Sequence, residues 1–130
     1  MKISIAIYGG PYSSQASHSA LHFARAALAG GHELYRLFFY QDGVYNSNVL
    51  IQPPQDEDDL HQQWTDLARD NDIEMVVCVA SALRRGMMDQ TESDRYEKTQ
   101  HVLQAPFVIS GLGQLIEAGI QSDRLVTFGV

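Results

Sequence analysis

An α/β fold built on a doubly wound, flavodoxin-like, mainly parallel five-stranded sheet is what this sequence predicts, and three observations carry the prediction. Five short runs rich in β-branched and aromatic residues alternate along the chain with stretches of helical periodicity. One run, Met75 to Ala80, is apolar throughout, as in a strand covered on both faces. Finally, 130 residues with 45% hydrophobic and 19% charged content supply one core without staples, so residues 1–130 are read as a single domain.

Lys2 to Tyr8 is the first strand, and Gly9 to Ser14 the loop after it. A glycine-rich loop ahead of a helix capped by Ser13 or Ser14 could cradle an anion on free N–H groups, which makes Gly10, Tyr12, Ser13 and Ser14 candidate crevice residues. The loop lacks the Lys-Ser/Thr ending of a P-loop and the third glycine of a dinucleotide fingerprint, so a plain strand-to-helix turn stands beside that reading. The helix from Gln15 to Ala29 turns Ala16, Ala20, Phe23, Ala24, Ala27 and Leu28 to the core and stops at Gly30-Gly31. His18 and His22 share a face, but no third ligand has matching spacing, and no metal site is read here.

Glu33 to Tyr40 is the second strand, and Gln41 to Asn48 a turn leaving it. Pro53-Pro54 breaks the chain before Asp56-Glu57-Asp58-Asp59, an acidic first turn for a helix that buries Leu60, Trp64, Leu67 and Ala68. The third strand ends near Cys78, where open α/β sheets collect ligands and chemistry. Ser81 is a good cap for a following helix. The N–H groups of that helix, with the guanidinium groups of Arg84 and Arg85 folded back, would favour thiolate over thiol. The competing reading makes Cys78 a small buried hydrophobe.

From Met87 to Gln104 the chain is polar and mixed in charge, a partly helical surface excursion. Phe107 to Ile109 is a short strand, and Ser110 caps a helix with Leu112, Leu115, Ile116 and Ile120 on its apolar face. Arg124 to Phe128 is the last strand. A strand order of 2-1-3-4-5 would set the Gly9–Ser14 loop beside Cys78, with the crevice between them as the site.

Composition narrows the function. One cysteine excludes an intrachain disulfide and fits a reducing compartment. With no basic-then-apolar leader and no apolar run of spanning length, the chain reads as cytoplasmic, away from membranes. A formal charge of −7 argues against direct contact with a nucleic-acid backbone.

Three ordered blocks then carry a resemblance: Phe38-Phe39-Tyr40-Gln41-Asp42-Gly43-Val44-Tyr45-Asn46-Ser47-Asn48, Val77-Cys78-Val79-Ala80-Ser81-Ala82-Leu83-Arg84-Arg85-Gly86 and Ile109-Ser110-Gly111-Leu112-Gly113-Gln114-Leu115. Together with the overall length they resemble the DsrE-like sulfurtransferases, most closely their TusD branch. The resemblance implies that Cys78 accepts sulfane sulfur as a persulfide and hands it on, with no cofactor and no metal. It implies a heterohexamer with TusB-like and TusC-like subunits, a TusA-type donor, a TusE-type acceptor, and a place in 2-thiolation of the tRNA wobble uridine. Gly43-Val44-Tyr45-Asn46 leans toward TusD, whereas Pro53-Pro54-Gln55-Asp56 resembles the DsrE branch, which serves dissimilatory sulfur oxidation with DsrF and DsrH; both branches stay open. A second cysteine would allow sulfur to be released internally as a disulfide. With none, it must leave to another protein. Two rivals of other classes are a flavodoxin-like module holding a phosphate-bearing ligand over the Gly9–Ser14 loop, and a purely structural subunit.

Overall fold

The computed structural model describes residues 1–130. The elements run β1 (Lys2–Ile7), α1 (Ala16–Ala29), β2 (Glu33–Phe39), a 3₁₀ helix (Gln41–Ser47), α2 (Leu60–Asn71), β3 (Glu74–Cys78), α3 (Val79–Arg84), α4 (Gln90–Arg95), β4 (Phe107–Ser110), α5 (Gly113–Gln121) and β5 (Arg124–Phe128). All neighbouring strands pair in parallel. Their order is β4-β3-β2-β1-β5, not the expected 2-1-3-4-5.

The handedness of crossovers gives this order its consequence. Steps from β1 to β2 to β3 to β4 all go the same way across the sheet, so right-handed connections put α1 to α4 on one face. Only the return from β4 to β5 runs backward, and it carries α5 to the opposite face. The two faces are covered very unequally. The first holds a core cluster of 22 buried residues, from Ile3, Ile5 and Ile7 through Trp64 to Met87, Leu103 and Phe107. The second holds a cluster of three, Phe38, Val76 and Cys78.

Several local expectations shift. The acidic stretch precedes α2 and does not form its first turn; Asp59 alone caps it, accepting the Gln62 N–H at 3.1 Å, and this fixes the helix start at Leu60. Ser110 is the last residue of β4, opposite Cys78, and no side chain caps α5. The excursion from Met87 to Gln104 is tied down at both ends, because Met87 and Leu103 are each 1% exposed and the Val102 and Leu103 N–H groups donate to the Met88 carbonyl. The predicted apolar face of α5 is not all buried: Leu115 packs on the sheet, but Leu112, Ile116 and Ile120 are exposed. A nine-residue helix can turn only one narrow stripe to the sheet.

Behind the sheet's carboxyl edge a buried polar chain joins four segments. The Trp64 indole donates to Asn46 Oδ1 at 3.0 Å, and Asn46 Nδ2 donates to the Ser17 hydroxyl and the Gly43 carbonyl. Ser17 in turn donates to the Gly9 carbonyl at 2.9 Å. A network whose members are all partnered rigidifies the loops it joins. Gly43 lies so close to β1 that a Cβ there would come 2.0 Å from the Ile7 carbonyl oxygen, a backbone atom with nowhere to go. Gly43→Ala is therefore expected to destabilise the fold by about 3 kcal/mol in urea unfolding, whereas Gly111→Ala, whose Cβ meets nothing, should change it by less than about 0.5 kcal/mol.

Candidate functional site

Cys78 ends β3 and occupies the position just before α3. Strand alternation points Met75 and Val77 into the large core and leaves Val76 and Cys78 on the face that α5 covers. There Cys78 is 1% exposed and clusters with Phe38 and Val76, and Leu115 of α5 and Tyr40 pack against that cluster. Tyr40 is held in turn by the rings of Tyr8 and Phe38, with centroids 5.0 and 6.3 Å away.

Ser81 is not the helix cap. The helix begins one residue after Cys78, with no capping side chain, because the chain turns directly from the strand. Ser81 is buried inside α3, and its hydroxyl accepts the Gln41 N–H at 3.0 Å. Arg85 donates to Asp42 Oδ1 at 2.8 Å and to the Ser81 carbonyl at 3.1 Å. Ser81 and Arg85 thus both fasten α3 to the segment after β2. Arg84 is exposed and forms no ion pair.

The Gly9–Ser14 loop does not border Cys78, because β2 lies between β1 and β3. Its one link toward the thiol runs through Asp42, which Gly10 faces and which binds Arg85. Tyr12, Ser13 and Ser14 line a separate depression of about 500 Å³ with His18, Glu57 and Asp58. The Tyr12 hydroxyl donates to the Asp58 carbonyl and accepts the Leu60 N–H, tying the loop to α2. No helix is long and apolar enough to cross a membrane, and no three His, Cys, Asp or Glu side chains converge to hold a metal ion.

The helix α5 is held to the sheet by a clamp that sequence patterning missed. Arg36, 5% exposed in β2, donates to Glu74 at 3.0 Å, to Glu117 of α5 at 2.9 Å and to the Gln114 carbonyl at 2.7 Å. Tyr35 donates to both carboxylate oxygens of the same Glu117. Burial works against the charge on Arg36, but its bonds to Glu74 and Glu117 outweigh it and raise its pKa. The Tyr35 hydroxyl, and then Arg36, hold the Glu117 carboxyl below its ordinary value. Glu117 also keeps Tyr35 protonated above the usual phenol range. The only sequence signal was a charged residue, Arg36, in the middle of an apolar strand.

A protein-family model described as the DsrE/DsrF-like family matches residues 1–128. The chain belongs to that family. It is 53% identical over 129 residues to a DsrE protein of Allochromatium vinosum, with 99% of both chains covered. A sulfurtransferase TusD homologue of Pseudomonas aeruginosa is 50% identical, covering 99% of this chain and 98% of its own. Sulfurtransferase TusD of Salmonella typhi is 46% identical over 128 residues, 98% of this chain and 100% of its own. The fold matches the crystal structure of the ychN protein from E. coli at a TM-score of 0.76 and 20% identity, covering 98% of this chain and 99% of that one. With relatives this similar over their whole length, the chain is a sulfurtransferase of the DsrE/DsrF-like family.

Two outcomes test the cover. Leu115→Ala should raise the rate at which uncharged iodoacetamide alkylates Cys78 by about tenfold, read by intact mass, because it loosens the packing against the cluster that buries the cysteine. Glu117→Gln should lower the melting temperature by a constant amount between about pH 6 and 8. That difference should vanish as pH falls below the ordinary carboxyl value of 4.5 and through the depressed pKa of Glu117, where the wild-type carboxyl also becomes neutral.

Proposed function

We propose that Cys78 carries sulfur as a persulfide and passes it to a partner protein. The observation that bears most on this is that the only cysteine of a sulfurtransferase chain stands at the carboxyl end of an interior parallel strand, where α/β sheets place their chemistry. The Cys78 thiolate attacks the outer sulfur of a donor persulfide. A new S–S bond forms on Cys78, the donor's S–S bond breaks, and the donor thiolate leaves with the electron pair. A second thiolate, on the acceptor, then attacks that outer sulfur and Cys78 leaves as thiolate. The number of S–S bonds is unchanged in each exchange, so neither step needs an oxidant, a reductant or a metal. Both require the packing around Cys78 to open, because the residue is 1% exposed at rest. Ser81 and Arg85 position the helix that follows the cysteine.

The pathway this reading favours is the relay in the cytoplasm from a TusA-type donor through TusB-, TusC- and TusD-like subunits to a TusE-type acceptor, ending in 2-thiolation of the tRNA wobble uridine. Identities of 50% and 46% to TusD proteins support it. Exposed Leu112, Ile116 and Ile120 on α5 support burial against neighbouring subunits. The 53% identity to a DsrE protein supports a second reading, a DsrE-type subunit acting with DsrF and DsrH in sulfur oxidation.

Incubation with a cysteine desulfurase and a TusA-type carrier tests the persulfide directly. Intact mass should show wild type gaining one sulfur atom, lost on reduction, and Cys78→Ser gaining none while keeping its circular dichroism spectrum. An active donor that leaves wild type unloaded overturns the reading.

A further inference from the structure

Next to the helix that follows Cys78 lies a groove that the persulfide chemistry does not use. It has a volume of about 510 Å³ and is lined by Ala80, Leu83, Arg84, Met88, Tyr96 and Lys98. A second hollow of about 290 Å³, lined by Gly86, Thr99 and Gln100, shares Met88 and Lys98 with it. Leu83 and Met88 make it apolar, and the Tyr96 ring stands 51% exposed at its side.

Acidic residues outnumber Lys and Arg by 16 to 9. Arg36, Arg85 and Arg95 each face a carboxylate. Of the Lys and Arg residues that form no ion pair, Arg84 and Lys98 come together on this one groove. Two free cations beside an apolar trough complement a chain that carries carboxylates and an aliphatic side chain, and methionine adapts its shape to such a guest. Ala80 lies two residues after Cys78, so the groove is bordered by backbone within about 7 Å of the Cys78 Cα. Because the chain has one cysteine, every sulfur must be collected by a thiol from outside.

We propose that this groove docks an extended, acidic and partly apolar segment of the protein that accepts sulfur from Cys78, bringing the acceptor thiol to the edge of the α5 lid. The inference rests on the persulfide reading and adds the partner's chemistry to it. A nucleic acid is the poorer match, since two cations on a chain of net charge −7 neutralise few phosphates.

The test uses the full chain, wild type and the double variant Arg84→Glu/Lys98→Glu, both exposed surface positions, each preloaded with persulfide and mixed with a TusE-type acceptor. The variant should load fully and be alkylated at Cys78 by iodoacetamide at the wild-type rate. It should then transfer sulfur at least about tenfold more slowly at low ionic strength, with the gap closing as salt screens the charges. Equal transfer rates at every ionic strength overturn the docking site while leaving the relay intact. Slower alkylation of the variant assigns the two cations to the thiol and overturns it too, as does tRNA binding that the double variant loses while transfer is unchanged. Failure of wild type to load brings down the persulfide reading and the docking site with it.

Discussion

Arg36 sets the terms for the second face of this sheet. A guanidinium in the middle of an interior strand must be neutralised, and only two carboxylates are within reach: Glu74 on the next strand and Glu117 on the helix above. Leaving a buried charge without one of its partners is strongly destabilising. The position of α5 is therefore dictated less by its apolar stripe, most of which faces outward, than by where Glu117 and the Gln114 carbonyl have to sit. Leu115, on the same helix, packs against the cluster of Phe38, Val76 and Cys78. Part of what closes this face is thus a by-product of solving an electrostatic problem in β2.

The one-way progression of strands does the rest. Because β2 separates β1 from β3, the segment that meets the cysteine's helix is the 3₁₀ turn after β2, through Gln41 to Ser81 and Asp42 to Arg85. Gly43 then presses this turn against β1, and Asn46 locks it to Trp64 and Ser17. The Phe38-to-Asn48 block thus stands against the Cys78 block in space, though some thirty residues separate them in the chain. Each block constrains the shape of the other.

Much of this was legible in the residues. All five strands lie where β-branched and aromatic runs put them, and Cys78 ends its strand as expected. Strand order was not legible, because apolar parallel strands carry no mark of which neighbour they pair with. Ser81 looked like a cap because it combines a capping side chain with good helix formers behind it, yet the helix needs no side-chain cap when the chain leaves the strand directly into it. The α5 stripe suggested burial by its period, but periodicity says which residues share a face and not whether anything covers that face. Arg84 and Arg85 are adjacent and chemically equal in sequence. In the fold one is tied to Asp42 and the other is left free, a difference made entirely by contacts from elsewhere in the chain.

On the persulfide reading proposed above, the burial of Cys78 also decides how private a stored sulfur would be. A persulfide in the open is within reach of every small thiol and oxidant in its surroundings, and would be discharged by whichever arrived first. One enclosed as Cys78 is would react with such molecules only in the fraction of time that its surroundings open. A protein that stays docked can wait for that opening. Enclosure of this kind trades speed with all comers for fidelity to a few, and it lets a molecule with a single cysteine hold its cargo as a reserve, not a leak.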